Sequence, residues 1–345
     1  MNQIQYEFDS RPDQGETLAI ADGVVWLRMP LPFSLKHINL WLLRDKAGWV
    51  IVDTGVDTRT SRDVWQQTFA GAMRGDPASH VVATHLHPDH VGCAGWLVDH
   101  FDVDLWMTRD EYMLCRILVA DTGRSAPEEG IRFYASAGFT DEQLSVYKGN
   151  FGMFGKLVHP LPEAYKRMSD GDVLEFAGAD WEVIVGSGHS PEHACLYDED
   201  RNILIAGDQL LPTISSNVSV WPTEPLANPL QDWFDSLEKL EQRLPEDVLV
   251  LPAHGKPFRG AHVRLRELAK DHEDRLADLL EICTTPKRVV DLFASLYRTT
   301  IDDNNRIMAT GEAISHLNYL CANGDITTET DASDVTWYCR SQRLI

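Results

Sequence analysis

THLHPDHVG, Thr84 to Gly92, sets three histidines and an aspartate within six positions. SHVVATHLH around it reads as a strand. PDHVGCAGWLVDHF then carries Val91, Ala94, Val98 and Phe101 at helical spacing. Pro88 suits the first turn of a helix, where its missing N–H costs nothing. The chain is therefore expected to pass from strand to helix inside the cluster. On a strand, His85 and His87 share one face, and Asp89 and His90 can turn toward the same point from the helix. Imidazole and carboxylate together suit zinc, iron or manganese better than metals that select soft thiolates.

The same chemistry recurs downstream. His189 lies in VGSGHSPEH, Asp208 in IAGDQ and His254 in LPAHG, each after an apolar run and before small or turn residues. Four strand ends thus carry His or Asp into loops that can meet at one sheet edge. Upstream, GVVWLRMPL, INLWLL and GWVIVDTG read as successive strands, the last ending at Asp53.

Taken in order, DTG, THLHPDH, GHS, GDQ and PAHG resemble the metallo-β-lactamase superfamily of hydrolases, which includes the glyoxalase II thioesterases. The resemblance covers about residues 20–260. It implies an α+β fold, an αββα sandwich of two mixed sheets with helices outside and metals at one edge. It also implies two divalent ions, zinc first with iron or manganese as alternatives. His85, His87 and His189 would hold one, Asp89, His90 and His254 the other, with Asp208 and a hydroxide between them. Asp53 would orient a ligand histidine or the hydroxide. Asp89, Asp53 and His193 are the expected catalytic residues. His193 is read as a hydrogen-bond partner of the ligands, as a proton donor, or as a structural group. Two cations about 3.5–4 Å apart need such a bridge, and coordination brings the pKa of water to about 7. An aspartate at the bridge points away from true β-lactamases toward thioesterases, lactonases, phosphodiesterases and nucleases. Many relatives read GHSPGH where this chain reads GHSPEH, so Glu192 brings bulk and charge beside the metals.

Residues 109–168 break the alternating rhythm and read as a helical insertion or lid on a catalytic domain spanning 1–262. Tyr165 and Arg167 within it, and Trp221 after the Asp208 loop, are the expected substrate contacts, although packing or solvated roles fit the same residues. From 263 to 345 three helical stretches and two strand-like pieces, DITTET and VTWYC, suggest a small winged-helix-like domain. That tail holds ten Lys/Arg against fourteen Asp/Glu, and the whole chain carries −22. Nucleic acid is a poor partner for such a balance. Packing over the active site, or a homodimer contact, fits the tail better.

Six scattered cysteines without a CxxC pair read as reduced thiols. Cys93, beside the cluster, reads as a packed helix position. No membrane-spanning run or signal-peptide layout is visible, so a cytoplasmic location is expected. These features point to a hydrolase of a small thioester or ester, such as an acyl-CoA or a lactone. The alternatives are an endoribonuclease of the same fold and a mononuclear iron oxygenase of the persulfide dioxygenase kind.

Overall fold

The structure, a computed structural model, describes residues 3–341. Among the described residues, fourteen short strands build two sheets. In chain order these are β1 (Gln5–Tyr6), β2 (Thr17–Ala21), β3 (Val24–Pro30), β4 (His37–Asp45), β5 (Gly48–Val52), β6 (Ala78–Val82) and β7 (Leu105–Met107). They continue as β8 (Lys166–Arg167), β9 (Val173–Phe176), β10 (Ala179–Gly186), β11 (His193–Asp198), β12 (Ile203–Gly207), β13 (Leu249–Pro252) and β14 (Phe258–Arg259). One sheet runs β2-β3-β4-β5-β6-β7-β8, the other β1-β14-β13-β12-β11-β10-β9. Both are mixed: β5, β6, β7 and β8 pair in parallel, as do β12 and β13.

Side-chain alternation explains the layering. Val24 and Trp26 of β3, Trp41 and Leu43 of β4, and Val50 and Val52 of β5 pack with Trp181, Val183, Leu196, Ile205 and Leu251 of the other sheet. The alternate residues, Leu27, Met29, Leu40, Leu42 and Ile51, face outward. They meet Trp65 and Phe69 of the helix Arg59–Ala70, and Ala94 and Leu97 of the helix Ala94–Phe101. The two readings of each strand therefore give two apolar faces, as a sheet covered on both sides requires. The first of these helices starts where Thr58 accepts the Ser61 N–H at 3.1 Å. On the second sheet, Lys239 of the helix Pro229–Arg243 donates to the Val185 carbonyl at 2.8 Å. Two large sheets flanked by helices are the expected fold.

Two local expectations are corrected. β6 stops at Val82, and Ala83 to His87 is irregular chain, so His85 and His87 do not share the face of a pleat. Thr84 and Pro88 explain this. The Thr84 N–H goes to the Asp53 side chain at 2.8 Å instead of to a neighbouring strand, and Pro88 has no N–H with which to continue a ladder. The helix that follows is also not continuous. Pro88–Val91 forms one turn with proline at its start, and the helix resumes at Ala94. Gly92 lies at this break because the DTG loop passes close behind it. A Cβ there would sit 2.4 Å from the Pro88 carbonyl oxygen and 2.6 Å from that of Gly55.

The chain divides into two compact units. The first comprises residues up to Thr122, Gly152–Ser216 and Lys239–Leu265, and contains both sheets. The second comprises Gly123–Phe151, Asn217–Glu238 and the chain from Arg266 onward. Each is thus assembled from three segments, and part of the stretch read as a lid belongs with the tail. The second unit contains the helices Glu128–Ser136, Asp141–Asn150 and Arg306–Ala322, most of Ala261–Ile282, and an antiparallel ribbon of β15 (Ile326–Thr330) and β16 (Thr336–Arg340). Helices followed by a ribbon is the order expected of the tail. Glu128–Ser136 is an additional helix, masked in the sequence by Gly130, a poor helix former, which admits the Tyr147 hydroxyl against its backbone.

Candidate metal centre

The loops after β6, β10, β12 and β13 bring seven ligand-type side chains together in the first unit. One atom each from His85, His87, His189 and Asp208 lies within 4.8 Å of the others, and Asp89, His90 and His254 form a second group by the same measure. His85 Nε2 and His87 Nδ1 are 2.8 Å apart, and His87 Nδ1 is 3.1 Å from His189 Nε2. Asp208 joins the groups. Its Oδ2 is 3.4 Å from His189 Nε2 and 3.5 Å from His90 Nε2, and its Oδ1 is 3.6 Å from His254 Nε2. Asp89 Oδ2 lies 3.4 Å from His254 Nε2.

The partners behind the rings fix which nitrogen faces the centre. His90 Nδ1 donates to Asp53 Oδ2 at 2.7 Å, and His254 Nδ1 donates to the His37 carbonyl at 3.1 Å. Thr84 Oγ1 donates to Asp53 and accepts from His85 Nδ1 at 3.1 Å. Each ring thereby turns its Nε2 toward the centre. Behind His254, Asn39 Nδ2 donates to the carbonyls of Pro252 and Gly255 at 2.8 and 2.9 Å and holds that loop.

The chemistry of this donor set fits divalent cations. His90 Nε2 and Asp208 Oδ1 are buried and make no hydrogen bond, which costs free energy unless another partner serves them. Burial, then the neighbouring imidazoles, hold His85 well below the usual histidine range, and burial and His189 push His87 down to about 3. These rings are neutral, with lone pairs free to donate. Burial opposes charge on Asp208, but His90 and His254 outweigh it and hold the carboxyl well below its ordinary value. Burial likewise opposes a charged His90, but Asp53, Asp208 and Asp89 raise it well above the ordinary value. A compact set of imidazole nitrogens and carboxylate oxygens matches the preference of zinc, iron or manganese.

His193 is fully buried. Its Nε2 accepts the Asp208 backbone N–H at 3.0 Å, and its Nδ1 faces Cys195 Sγ at 3.9 Å. Burial, and then His189, hold the ring well below the ordinary range. These contacts make it a positioning residue for Asp208. Gly207 is required beside it, since its φ is 50° and a Cβ would lie 2.5 Å from His193 Nε2.

Glu111 and Glu192 have roles the sequence did not suggest. Glu111 is fully buried; its Oε2 accepts from the Leu86 N–H and its Oε1 from the Glu192 N–H, both at 2.9 Å. It thus ties the His85–His87 loop to the loop after His189. Burial pushes its carboxyl up to about 7 against the pull of these hydrogen bonds. Glu192 turns its carboxylate onto the Asp110 N–H at 2.9 Å, at the start of the helix Arg109–Ala120, while its carbonyl accepts from Thr108. It caps a helix.

The three expected substrate contacts have different surroundings. Tyr165 stacks on Tyr112 with ring centroids 3.9 Å apart. Arg167 is exposed on the edge strand β8. Trp221 belongs to the second unit and is 42% exposed. Cys93 is buried and donates to the Val56 carbonyl, with burial pushing its thiol up to about 12, as expected of a packing position.

A two-sheet sandwich with clustered histidines and aspartates at its strand ends defines a metallo-hydrolase. Residues 35–254 match the metallo-beta-lactamase superfamily, and 276–341 match the metallo-beta-lactamase-like C-terminal domain. The chain belongs to that superfamily. It is 40% identical to a beta-lactamase domain protein from Burkholderia ambifaria, whose crystal structure superposes with a TM-score of 0.90 over 98% of each chain. It is 24% identical to the probable metallo-hydrolase YqjP of Bacillus subtilis, over 91% of this chain and 97% of that protein. It is 25% identical to human acyl-coenzyme A thioesterase MBLAC2, over 74% of this chain and 85% of that protein.

Proposed function

We propose that the protein hydrolyses a small thioester, with esters and lactones as the related class, at two divalent cations held by the seven-residue cluster. His85, His87 and His189 would hold one ion and Asp89, His90 and His254 the other, with Asp208 shared. The observation that carries the reading is the reach of Asp208 to His189, His90 and His254 at 3.4–3.6 Å. When bound, such ions supply Lewis acidity and a nucleophilic water at neutral pH.

The chain's own part is to hold its ligands rigidly. Asp53 aims His90, the His37 carbonyl aims His254, Thr84 aims His85, and His193 fixes the Asp208 backbone. A thiolate, the conjugate base of a thiol with a pKa of about 8.5, leaves without needing a proton. The buried contacts of His193 offer it no route to a leaving group. Both points favour a thioester over an alkyl ester, and the named activity of the human relative agrees.

The test is a panel of acyl-CoA, glutathione-thioester, ester and lactone substrates with zinc-, iron- and manganese-reconstituted protein. Hydrolysis of a thioester is expected, with two ions per chain, and loss of activity in Asp208→Ala. Two bound ions with every substrate intact would overturn the reading. One iron with oxygen uptake would replace it with an oxygenase.

A further inference from the structure

His37 opens β4 beside the centre, and its backbone carbonyl accepts from His254 Nδ1 at 3.1 Å. Alternation along β4 puts its ring on the same side as Asn39, whose amide holds the His254 loop. Asn39 is fully buried, whereas His37 is partly exposed, so the imidazole lies one step nearer solvent on that side.

Behind the ring stands Arg28 of β3. Its Nη2 donates to His37 Nδ1 at 3.2 Å, and its Nη1 to the Pro12 carbonyl at 3.3 Å. A guanidinium has hydrogens to give and no lone pair to accept with. His37 Nδ1 is therefore the acceptor, and the neutral ring carries its proton on Nε2. Arg28 is only 9% exposed, and its Nε is buried without a hydrogen bond. Among the described residues no carboxylate hydrogen-bonds to it, and Asp13 acts on its charge only through space. The largely buried guanidinium thus has no hydrogen-bonded counter-charge and gives an N–H to the His37 ring.

We propose that His37, held as the Nε2–H tautomer by Arg28, is a substrate-binding donor for an anionic oxygen, a carboxylate or phosphate of the molecule being hydrolysed. The choice of a thioester as that molecule rests on the function proposed above; the tautomer and the oxyanion preference do not. Substrates carrying such a group close to the scissile bond would be selected over neutral ones of the same length.

Two measurements on the zinc-loaded full chain test this. In ¹⁵N NMR, with the His37 ring assigned by its loss in His37→Phe, Nε2 carries the proton in the natural protein, and Arg28→Met gives a tautomer mixture. Titration with succinate and with inorganic phosphate moves the His37 signal, and the stronger of the two identifies the oxyanion. In kinetics, thioesters matched except for a terminal carboxylate or a phosphate are compared. His37→Phe raises KM for the anionic member about tenfold or more relative to its neutral mate, as expected for a hydrogen bond to a charged group, and His37→Gln restores part of the loss. A proton on Nδ1 in the natural protein, a KM change equal for charged and neutral substrates, or an unmoved His37 signal would each overturn the proposal. If no thioester turns over, the function proposed above fails and the NMR measurements still decide this one.

Discussion

Asp53 holds a backbone conformation few L-residues adopt, with φ at 61°. Its carboxylate accepts from the Thr84 N–H and hydroxyl and from His90 Nδ1. The loop geometry persists because all three donors converge on one side chain. Asp53→Ala frees the His90 tautomer and leaves the buried Thr84 N–H unpaired. The expected result is a loss of affinity of about 10–100-fold for one of two ions, read by counting ions after dialysis against graded chelator; two ions held as tightly as before would refute the role. Glu111 acts at the same scale on the opposite side. Glu111→Ala leaves the buried N–H groups of Leu86 and Glu192 without acceptors, at about 1–3 kcal/mol each, while Glu111→Gln keeps one acceptor. Chemical denaturation should rank the natural protein above Gln and Gln above Ala, with metal content falling in the same order. The metal-ligand types could be read from sequence because histidine and aspartate after apolar runs are chemically conspicuous. Glu111 could not, because an acid in the first turn of a helix looks like an ordinary partner for the helix dipole.

At the level of elements, strand ends were readable and what lies just beyond them was not. Continuous apolar runs located β3, β4, β5, β12 and β13, because each is buried along most of its length. The irregular chain from Ala83 to His87 was hidden, since its departure from a strand depends on Asp53, some thirty residues away. The crossing of the DTG loop behind Gly92 is a second such long-range fact. Gly92→Ala places a carbon 2.4–2.7 Å from three backbone atoms, on Pro88, Gly55 and Asp57. None of these can move without dragging a ligand loop. A stability loss of about 3 kcal/mol or more is expected, together with loss of metal; a variant that melts like the natural protein would show the crossing to be slack.

In the second unit, the helices Ala261–Ile282 and Arg306–Ala322 trap a histidine pair. His272 Nδ1 and His316 Nε2 are 3.0 Å apart, and His316 Nδ1 donates to the Glu312 carbonyl. Burial and then His316 push His272 down to about 3, and burial pushes His316 down to about 4. Arg275 adds to both shifts and pairs with the buried Glu312. Both folded values lie below the unfolded value of 6.5. As pH falls below 6.5 the unfolded chain takes up protons that the folded unit refuses, and stability falls by up to about 1.4 kcal/mol per pH unit for each ring until the folded values are reached. Glu312, raised by burial, works in the opposite sense. The measure is therefore a comparison: melting temperature against pH from 7.5 to 5 should fall more steeply in the natural protein than in His272→Gln/His316→Gln. Parallel curves would mean that the pair does not refuse protons.

At the scale of the whole molecule, the −22 charge was evident from composition, and the two-sheet core was implied by the resemblance that the motif order carries. Among the described residues no helix is long and apolar enough to cross a membrane. The grouping of segments was not evident, because a pattern along the chain carries no record of which distant segments share a core. A linear division at residue 262 and the three-segment division make opposite predictions for a shortened chain. The helix Arg306–Ala322 admits Ser219 against Gly311, takes the Val220 N–H on the Gly311 carbonyl at 3.0 Å, and donates from Asn318 to the carbonyls of Pro225 and Ala227. The Val290 N–H reaches the Ala137 carbonyl, and Gly138 lies against Val290 and Arg288. Ending the chain after residue 262 strips these partners from 123–151 and 217–238, while leaving the seven ligand residues intact. Apolar surface that the natural chain covers would then be exposed. The shortened chain is expected to be poorly soluble or to bind a hydrophobic dye strongly, to unfold at lower denaturant, and to lose metal only as a consequence. A soluble, cooperatively folding 1–262 fragment with two ions and no dye binding would show instead that the first 262 residues form a domain complete in themselves.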